Sequence, residues 1–139
     1  SCTVPAKGTP TFSLCEDEME YGVGIHGEPG VAREKLISAD ELANKMLDKI
    51  IADLPFSKGD EVALMVNGMG ATPLQELYIL NNSVGKVLNS KKINVYKTFV
   101  GNYMTSIDMS GASLTLMKLD NILKELLDAP TDTPAFKIQ

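Results

Sequence analysis

The chain has no tryptophan, one histidine, two cysteines and an aromatic content of 6%. Each shortage narrows what it can do. With one histidine, and cysteines only at Cys2 and Cys15, no zinc-like ligand spacing can be built, so no metal is expected. The absence of a second histidine and of a Gly-x-Ser-x-Gly elbow argues against a Ser-His-Asp triad. Positive charge is also scarce. Lysine and arginine total 13 against 18 aspartates and glutamates, and a net charge of -5 argues against a nucleic-acid or anionic-membrane surface. No apolar run approaches the ~18 residues of a membrane span. The start, Ser1-Cys2-Thr3-Val4-Pro5, has neither the basic region nor the apolar stretch of a signal peptide. A cytoplasmic domain with reduced cysteines is expected, Cys15 serving as a small buried hydrophobe after Phe12 and Leu14.

What is present suits one globular domain over residues 1–139. The length allows a real core, and 44% hydrophobic with 22% charged residues is an ordinary globular balance. Residues 1–11 read as extended. Ser38-Ala-Asp-Glu41 forms a capping box, and Leu42, Ala43, Met46, Leu47, Ile50, Ile51 and Leu54 behind it share one helical face that Pro55 ends. Lys58-Gly-Asp60 is a turn, and Glu61 to Val66 a short apolar strand. Thr72-Pro-Leu-Gln75 reads as a second capping box with Pro73 at the first helical position. Its helix carries Leu74, Leu77, Tyr78, Val84, Val87 and Leu88, with Gly85 as a weak spot or a close-packing site. Strands follow at Ile93–Val100 and Ala112–Leu119, separated by a polar loop, Gly101–Gly111. Asp120 caps a last helix with Ile122, Leu123, Leu126 and Leu127, ended by Pro130; the tail from Thr131 is extended. This order predicts an α/β fold: a mixed β-sheet covered by helices, two-layer or sandwich-like, with the last two strands as antiparallel neighbours.

The segment Glu18-Met-Glu-Tyr-Gly-Val-Gly-Ile-His26-Gly-Glu-Pro-Gly30 holds the lone histidine. Alternation sets Met19, Tyr21, Val23 and Ile25 on one strand face and Glu18, Glu20, Gly22, Gly24 and His26 on the other. Glycines at 24 and 27 clear the space beside the imidazole, the one side chain that is uncharged yet nucleophilic near neutral pH. A reactive histidine fits this pattern, with a surface or packed histidine as the alternative. Glu28 is read either as a partner that fixes the tautomer of His26 or as a solvated turn acid. Glu20 would lie about 20 Å from His26 along an extended strand, at ~3.3 Å per residue, and so would be no direct partner. The acidic stretch Glu16-Asp17-Glu18 is a solvated face or one turned to a positive partner. The loop Asn67–Thr72 precedes a helix N-terminus and reads as a tight turn or as a phosphate contact, although no P-loop pattern is present. Loop residues Asn102, Tyr103, Thr105, Ser106 and Asp108 have a composition that can line a site, and Met104, Met109 and Met117 are read as packing residues.

The block Glu16–Gly30, with its His-Gly-Glu-Pro-Gly core, resembles the corresponding stretch of the dihydroxyacetone kinase substrate-binding subunit. The likeness continues through Val66-Asn-Gly-Met-Gly-Ala-Thr-Pro-Leu-Gln-Glu-Leu-Tyr78, through Tyr103–Asp120 and into Asp128–Ala135. It covers essentially the whole chain and matches the C-terminal domain of that subunit. The resemblance implies that His26 is catalytic and substrate-binding, forming a covalent hemiaminal with the carbonyl carbon of dihydroxyacetone. It also implies that no cofactor sits in this chain, Mg-ATP or Mg-ADP being carried by a nucleotide-binding partner subunit or domain. The other implied partners are the N-terminal domain of the same subunit and a second copy in a homodimer. With Ser1 in place of an initiator Met, the resemblance suggests a chain that begins inside a longer protein. Two rival functions remain: a paralogue that senses dihydroxyacetone as a transcriptional coactivator, and a phosphohistidine carrier.

Overall fold

The computed structural model describes residues 3–10, 12–25 and 28–138. Its centre is a three-stranded sheet of β5 (Glu61–Gly68), β6 (Asn94–Gly101) and β7 (Ala112–Leu119), in the order β6-β5-β7. The sheet is mixed, because β5 runs parallel to β6 and antiparallel to β7. The last two long strands are therefore not neighbours, contrary to the expectation from sequence. The middle strand, β5, is the most buried of the three, with Val62, Ala63, Leu64 and Val66 all in the core. Loop 101–111 carries the chain across the end of β5 to its far side.

Two helices, α1 (Ala39–Asp53) and α2 (Leu74–Ser90), cover one face of the sheet. The core there joins Ala43 and Leu47 of α1 to Leu77, Leu80, Val84, Val87 and Leu88 of α2 and to Val62, Leu64 and Val66. Burying each of these larger aliphatic side chains contributes about 1.5–3 kcal/mol. Ser83, itself buried, donates to Asp40 Oδ1 at 2.6 Å and ties the helices together. The expected face of α2 is corrected: Leu74 and Tyr78 are exposed, and Leu80 takes a core place instead. On the opposite sheet face, α3 (Asn121–Asp128) turns Leu123 and Leu127 inward and leaves Ile122 and Leu126 exposed. Phe99, Tyr103 and Phe136 stack beside it, with centroids 5.2–6.2 Å apart.

Three short hairpins complete the chain: β1 (Thr3–Val4) with β2 (Thr9–Pro10), β3 (Glu18–Tyr21) with β4 (Ala32–Lys35), and β8 (Thr131–Asp132) with β9 (Lys137–Ile138). Both terminal segments are thus paired rather than merely extended. The strand expected through residue 26 stops at Tyr21. Gly22 has φ +76°, and a Cβ there would lie 2.8 Å from Val31 Cγ2, so the alternation breaks and Val23 and Ile25 are exposed. Cys15 is exposed, so it is not the small buried hydrophobe expected; Met104 is exposed too, while Met117 packs partly exposed beside Phe99 and Leu127.

Capping separates the helices. Ser38 and Glu41 form the full reciprocal box at α1, and Asp120 accepts from Leu123 N–H at 2.7 Å at α3. At α2 the expected box is absent. Pro73 is the N-cap, and Thr72 instead exchanges two hydrogen bonds with Gly111, accepting from its N–H at 2.8 Å and donating to its carbonyl at 2.7 Å. A loop partner has displaced a local cap.

Ser38→Ala is expected to lower stability by about 1 kcal/mol in urea denaturation at neutral pH. Hydrogen bonds from Ser38 hold the Glu41 carboxyl below its ordinary 4.5. A depressed carboxylate stabilises the fold above its unfolded pKa and ceases to do so as pH falls through the lower folded value, so the Ser38→Ala penalty should shrink once the pH falls below the ordinary carboxylate range. A Cβ at Gly85 would meet nothing within 4 Å, which makes this glycine a weak spot rather than a close-packing site. Gly85→Ala should therefore raise stability by about 0.5–1 kcal/mol, read in the same titration.

Candidate functional site

The β3–β4 hairpin presents the segment that the sequence singled out. Its strands pair Glu18 with Lys35 and Glu20 with Arg33, and Arg33 lies 3.7 Å from the Glu20 carboxylate. Tyr21 anchors the hairpin to α1: its hydroxyl donates to the Lys45 carbonyl at 3.1 Å. The Lys45 ammonium sits 5.0 Å above the Tyr21 ring and pairs with Glu34. Burial pushes the Tyr21 phenol above its ordinary 10.0, with the Lys45 charge opposing. Tyr21 therefore stays a neutral donor at physiological pH.

Beyond Tyr21 the chain leaves the ladder at Gly22 and rejoins it at Val31, whose N–H bonds the Tyr21 carbonyl at 2.8 Å. His26 and Gly27 lie outside the described residues, so the expected nucleophile is located only by the chain on either side of it. Gly24 N–H donates to the Glu28 carbonyl at 3.2 Å. A Cβ on Gly24 would collide with the Glu28 carboxylate, and one on Gly30 would stand 2.8 Å from the Tyr21 carbonyl. Both glycines are thus required by close approach. Glu28 is exposed but folded over Gly24, a more constrained place than a solvated turn acid would have. Glu20 is also better placed than expected. Because the strand ends early, its Oε1 accepts from Gly30 N–H at 2.8 Å and braces the returning arm of the loop.

Two loops that sequence reading kept apart are joined. Met69 N–H bonds Gly111, Met109 N–H bonds Met69, and Ala71 N–H bonds Met109, each at 3.2 Å. Gly70, at φ +105°, fits because a Cβ there would stand 2.5 Å from the Ser106 carbonyl. The Met69 and Ala71 donors that a phosphate would have needed are therefore occupied by the neighbouring loop. The α2 first turn adds the acid Glu76 rather than a basic residue, and together with those bonds this favours the tight-turn reading of Asn67–Thr72.

Asn67 is the polar residue that sequence reading missed. It is 2% exposed and sits at the end of the central strand. The available signal was an amide directly after the apolar run Val62–Val66. Its Oδ1 accepts from Tyr103 N–H at 2.8 Å and Met104 N–H at 2.9 Å. Its Nδ2 donates to the Met104 carbonyl at 2.7 Å and to Ser113 Oγ at 3.2 Å.

Between these parts lies a cleft of about 1000 Å³. Tyr21, Gly22 and Val23 of the hairpin line one side, Leu42 and Met46 of α1 contribute apolar surface, and Asp108–Gly111 supply another wall. Glu16 and Glu18 also line it, so the acidic stretch is not simply a solvated face. Among the described residues no group of three metal-ligating side chains converges, and no helix is long and apolar enough to cross a membrane.

Comparison with known proteins bears on this geometry. The Dak1 domain family matches residues 1–135. The PTS-dependent dihydroxyacetone kinase 1, dihydroxyacetone-binding subunit DhaK, of Listeria innocua serovar 6a is 47% identical over 136 residues, covering 97% of this chain and 41% of that protein. The solved dihydroxyacetone kinase operon co-activator Dha-DhaQ aligns with a TM-score of 0.82 at 37% identity, over 88% of this chain and 39% of that one. The dihydroxyacetone kinase of C. freundii aligns at 0.75 and 27% identity, over 99% of this chain and 25% of that one. The chain thus spans well under half the length of these relatives. Sequence and fold agree on one assignment, and the chain belongs to the Dak1 domain family.

Proposed function

We propose that this domain is the part of a dihydroxyacetone kinase that holds the ketone substrate. The observation that carries the reading is the 47% identity, over nearly the whole chain, to a protein named as a dihydroxyacetone-binding subunit. The hairpin loop supports it, since glycines at 24 and 30 sit where the chain approaches itself closely on either side of the histidine segment. In this reading neutral His26 adds through Nε2 to the ketone carbon. The N–C bond forms as the carbonyl π bond breaks; the new alkoxide takes up a proton and the ring releases the one on Nδ1, leaving a neutral hemiaminal. Such capture selects carbonyl compounds over glycerol, whose carbons are not electrophilic. It also fixes the terminal hydroxyl that accepts the phosphoryl group, and positioning is a large share of phosphoryl-transfer catalysis.

The donor lies elsewhere in this reading. The C. freundii kinase, crystallised with AMP-PNP and Mg²⁺, is matched here over only a quarter of its length, which leaves room for a donor site outside this domain. Mg-ATP, or a phosphoprotein relay, would thus act from a partner subunit or domain. The remaining substrate contacts would come from the other domain of the same subunit, in a chain that pairs as a homodimer.

A second reading has its own support. The operon co-activator aligns at a TM-score of 0.82, so a dihydroxyacetone-sensing role uses the same fold. Turnover separates the two, because a sensor captures the ketone without phosphorylating it. An adduct requiring a phosphoryl donor instead of ketone alone would point to the phosphohistidine carrier.

In a full-length subunit with its donor partner, His26→Ala should abolish dihydroxyacetone phosphorylation while thermal unfolding stays cooperative; near-normal turnover would remove His26 from the mechanism. Because only the neutral imidazole attacks, substrate affinity should be full above the His26 pKa and weaken as pH falls through it, about 6.5 for an unperturbed imidazole. Residues 1–139 alone should unfold cooperatively yet fail to phosphorylate dihydroxyacetone in a coupled assay with the partner present. Full activity from that fragment would show that the missing contacts are not needed.

A further inference from the structure

Ketone capture does not account for the cleft of about 1000 Å³. The described residues beside the histidine, Gly24, Ile25 and Glu28, do not line it. It stands at the top of the range for drug-sized pockets, roughly 300–1000 Å³, and a three-carbon ketone would leave most of it empty. Two features of the lining indicate what would fill it. Four of the seven methionines of the chain, Met19, Met46, Met69 and Met109, meet there, each partly exposed. Leu36 and Ile79 also line it, 59% and 51% exposed, and leave apolar surface in water. Unbranched methionines repack around a partner's apolar side chains at little cost. The charge is one-sided as well. Glu16, Glu18, Glu20, Glu76 and Asp108 line the cleft against a single cation, Lys49. They stand on both walls, Glu18 and Glu20 on β3 and Asp108 on the loop across from it. Arg33 offsets Glu20 from 3.7 Å, but Glu16 and Glu76 are exposed and join no ion pair among the described residues.

We propose that this cleft is a docking groove for a basic amphipathic helix of a separate polypeptide, its apolar face on the methionines and its lysines or arginines against the acidic lining. A helix about 10 Å across rises about 5.4 Å per turn, so the space equals roughly two enclosed turns, or about four turns laid in to half their depth. Such a segment presents apolar anchors on one face and keeps its charges at the flanks. Charge disfavours the other occupants. A second copy would bring its own net charge of -5 to an acidic groove, and an anionic lipid surface would be repelled in the same way. The groove would serve this role whether or not the domain captures a ketone.

The test uses the 139-residue chain with isotope-labelled methionine methyl groups, followed by NMR. The probe is a synthetic helical peptide of leucine and lysine, about four turns long, and a leucine–glutamate peptide of the same pattern is its control. On titration with the lysine peptide, the methyl signals of Met19, Met46, Met69 and Met109 should shift and saturate, while those of Met104 and Met117, which lie outside the cleft, stay in place. The glutamate peptide should leave all of them unmoved. Glu76→Lys should weaken binding roughly fivefold at low salt, and less as salt rises. Glu125→Lys makes the same charge change at an exposed site on α3, outside the cleft, and should leave the Kd within about twofold. Ile79→Gln removes exposed apolar surface in the groove and should weaken binding roughly fivefold at any salt; it carries the test if Glu76→Lys disturbs α2. Equal weakening by Glu76→Lys and Glu125→Lys, or shifts at Met104 and Met117 as large as those in the cleft, would reveal non-specific attraction and overturn the proposal. So would the lack of a saturable shift. Cleft signals that move with protein concentration alone would assign the groove to a second copy, and signals that move with dihydroxyacetone alone would assign it to the ketone; either result overturns a helical partner. A full-length subunit that does not take the peptide would place the occupant within the subunit and overturn the separate polypeptide.

Discussion

Everything in this domain depends on burying the central strand. Six of the eight positions of β5 are buried. Pairing with β6 on one edge and β7 on the other satisfies its backbone, while α1 and α2 cover Val62, Leu64 and Val66. Once β5 is enclosed, its C-terminal end becomes a fixed platform. The loops that leave it, and those that cross it, inherit that rigidity.

Asn67 shows how the platform is used. A buried amide without partners would cost on the order of 1–3 kcal/mol, so its place is tolerable only because the 103–113 segment folds onto it. The strand therefore specifies the loop, and the loop removes the penalty on the strand. Thr72 repeats the pattern. It gives up the helix cap that its local sequence offers and bonds Gly111 instead. In both cases a contact between residues more than thirty apart outweighs a local one.

The hairpin is held by a different kind of interaction. Tyr21, Lys45 and Glu34 combine a hydrogen bond, a cation over a ring and an ion pair, all partly exposed. Each is weak by itself, since exposed pairs contribute about 0–1 kcal/mol. The arm bearing the histidine segment is thus fastened to α1 more lightly than the 103–113 loop is fastened to β5. The cleft thus joins a wall held by buried hydrogen bonds to one that is lightly anchored.

Local chemistry was sufficient for much of the fold. The Ser38–Glu41 box, the Asp120 cap, the strand Ala112–Leu119 and the stops at Pro55 and Pro130 depend on neighbours within a few residues, and all were legible in the sequence. So was the family, because His-Gly-Glu-Pro-Gly and the blocks after it are local patterns too. Tertiary structure alone decided the rest. The order β6-β5-β7 depends on pairings across the sheet that the succession of strands along the chain does not state. The early end of β3 needed Val31 to pack against Gly22. Leu80 replaced Leu74 and Tyr78 in the core because packing on the sheet selected the arc of Leu77, Leu80, Val84, Val87 and Leu88 from an α2 that carries apolar residues on more than one side. Asn67 and Thr72 found their partners thirty-six to forty-six residues away. A sequence displays what a residue can bond; only the packed chain determines which of those bonds can be reached.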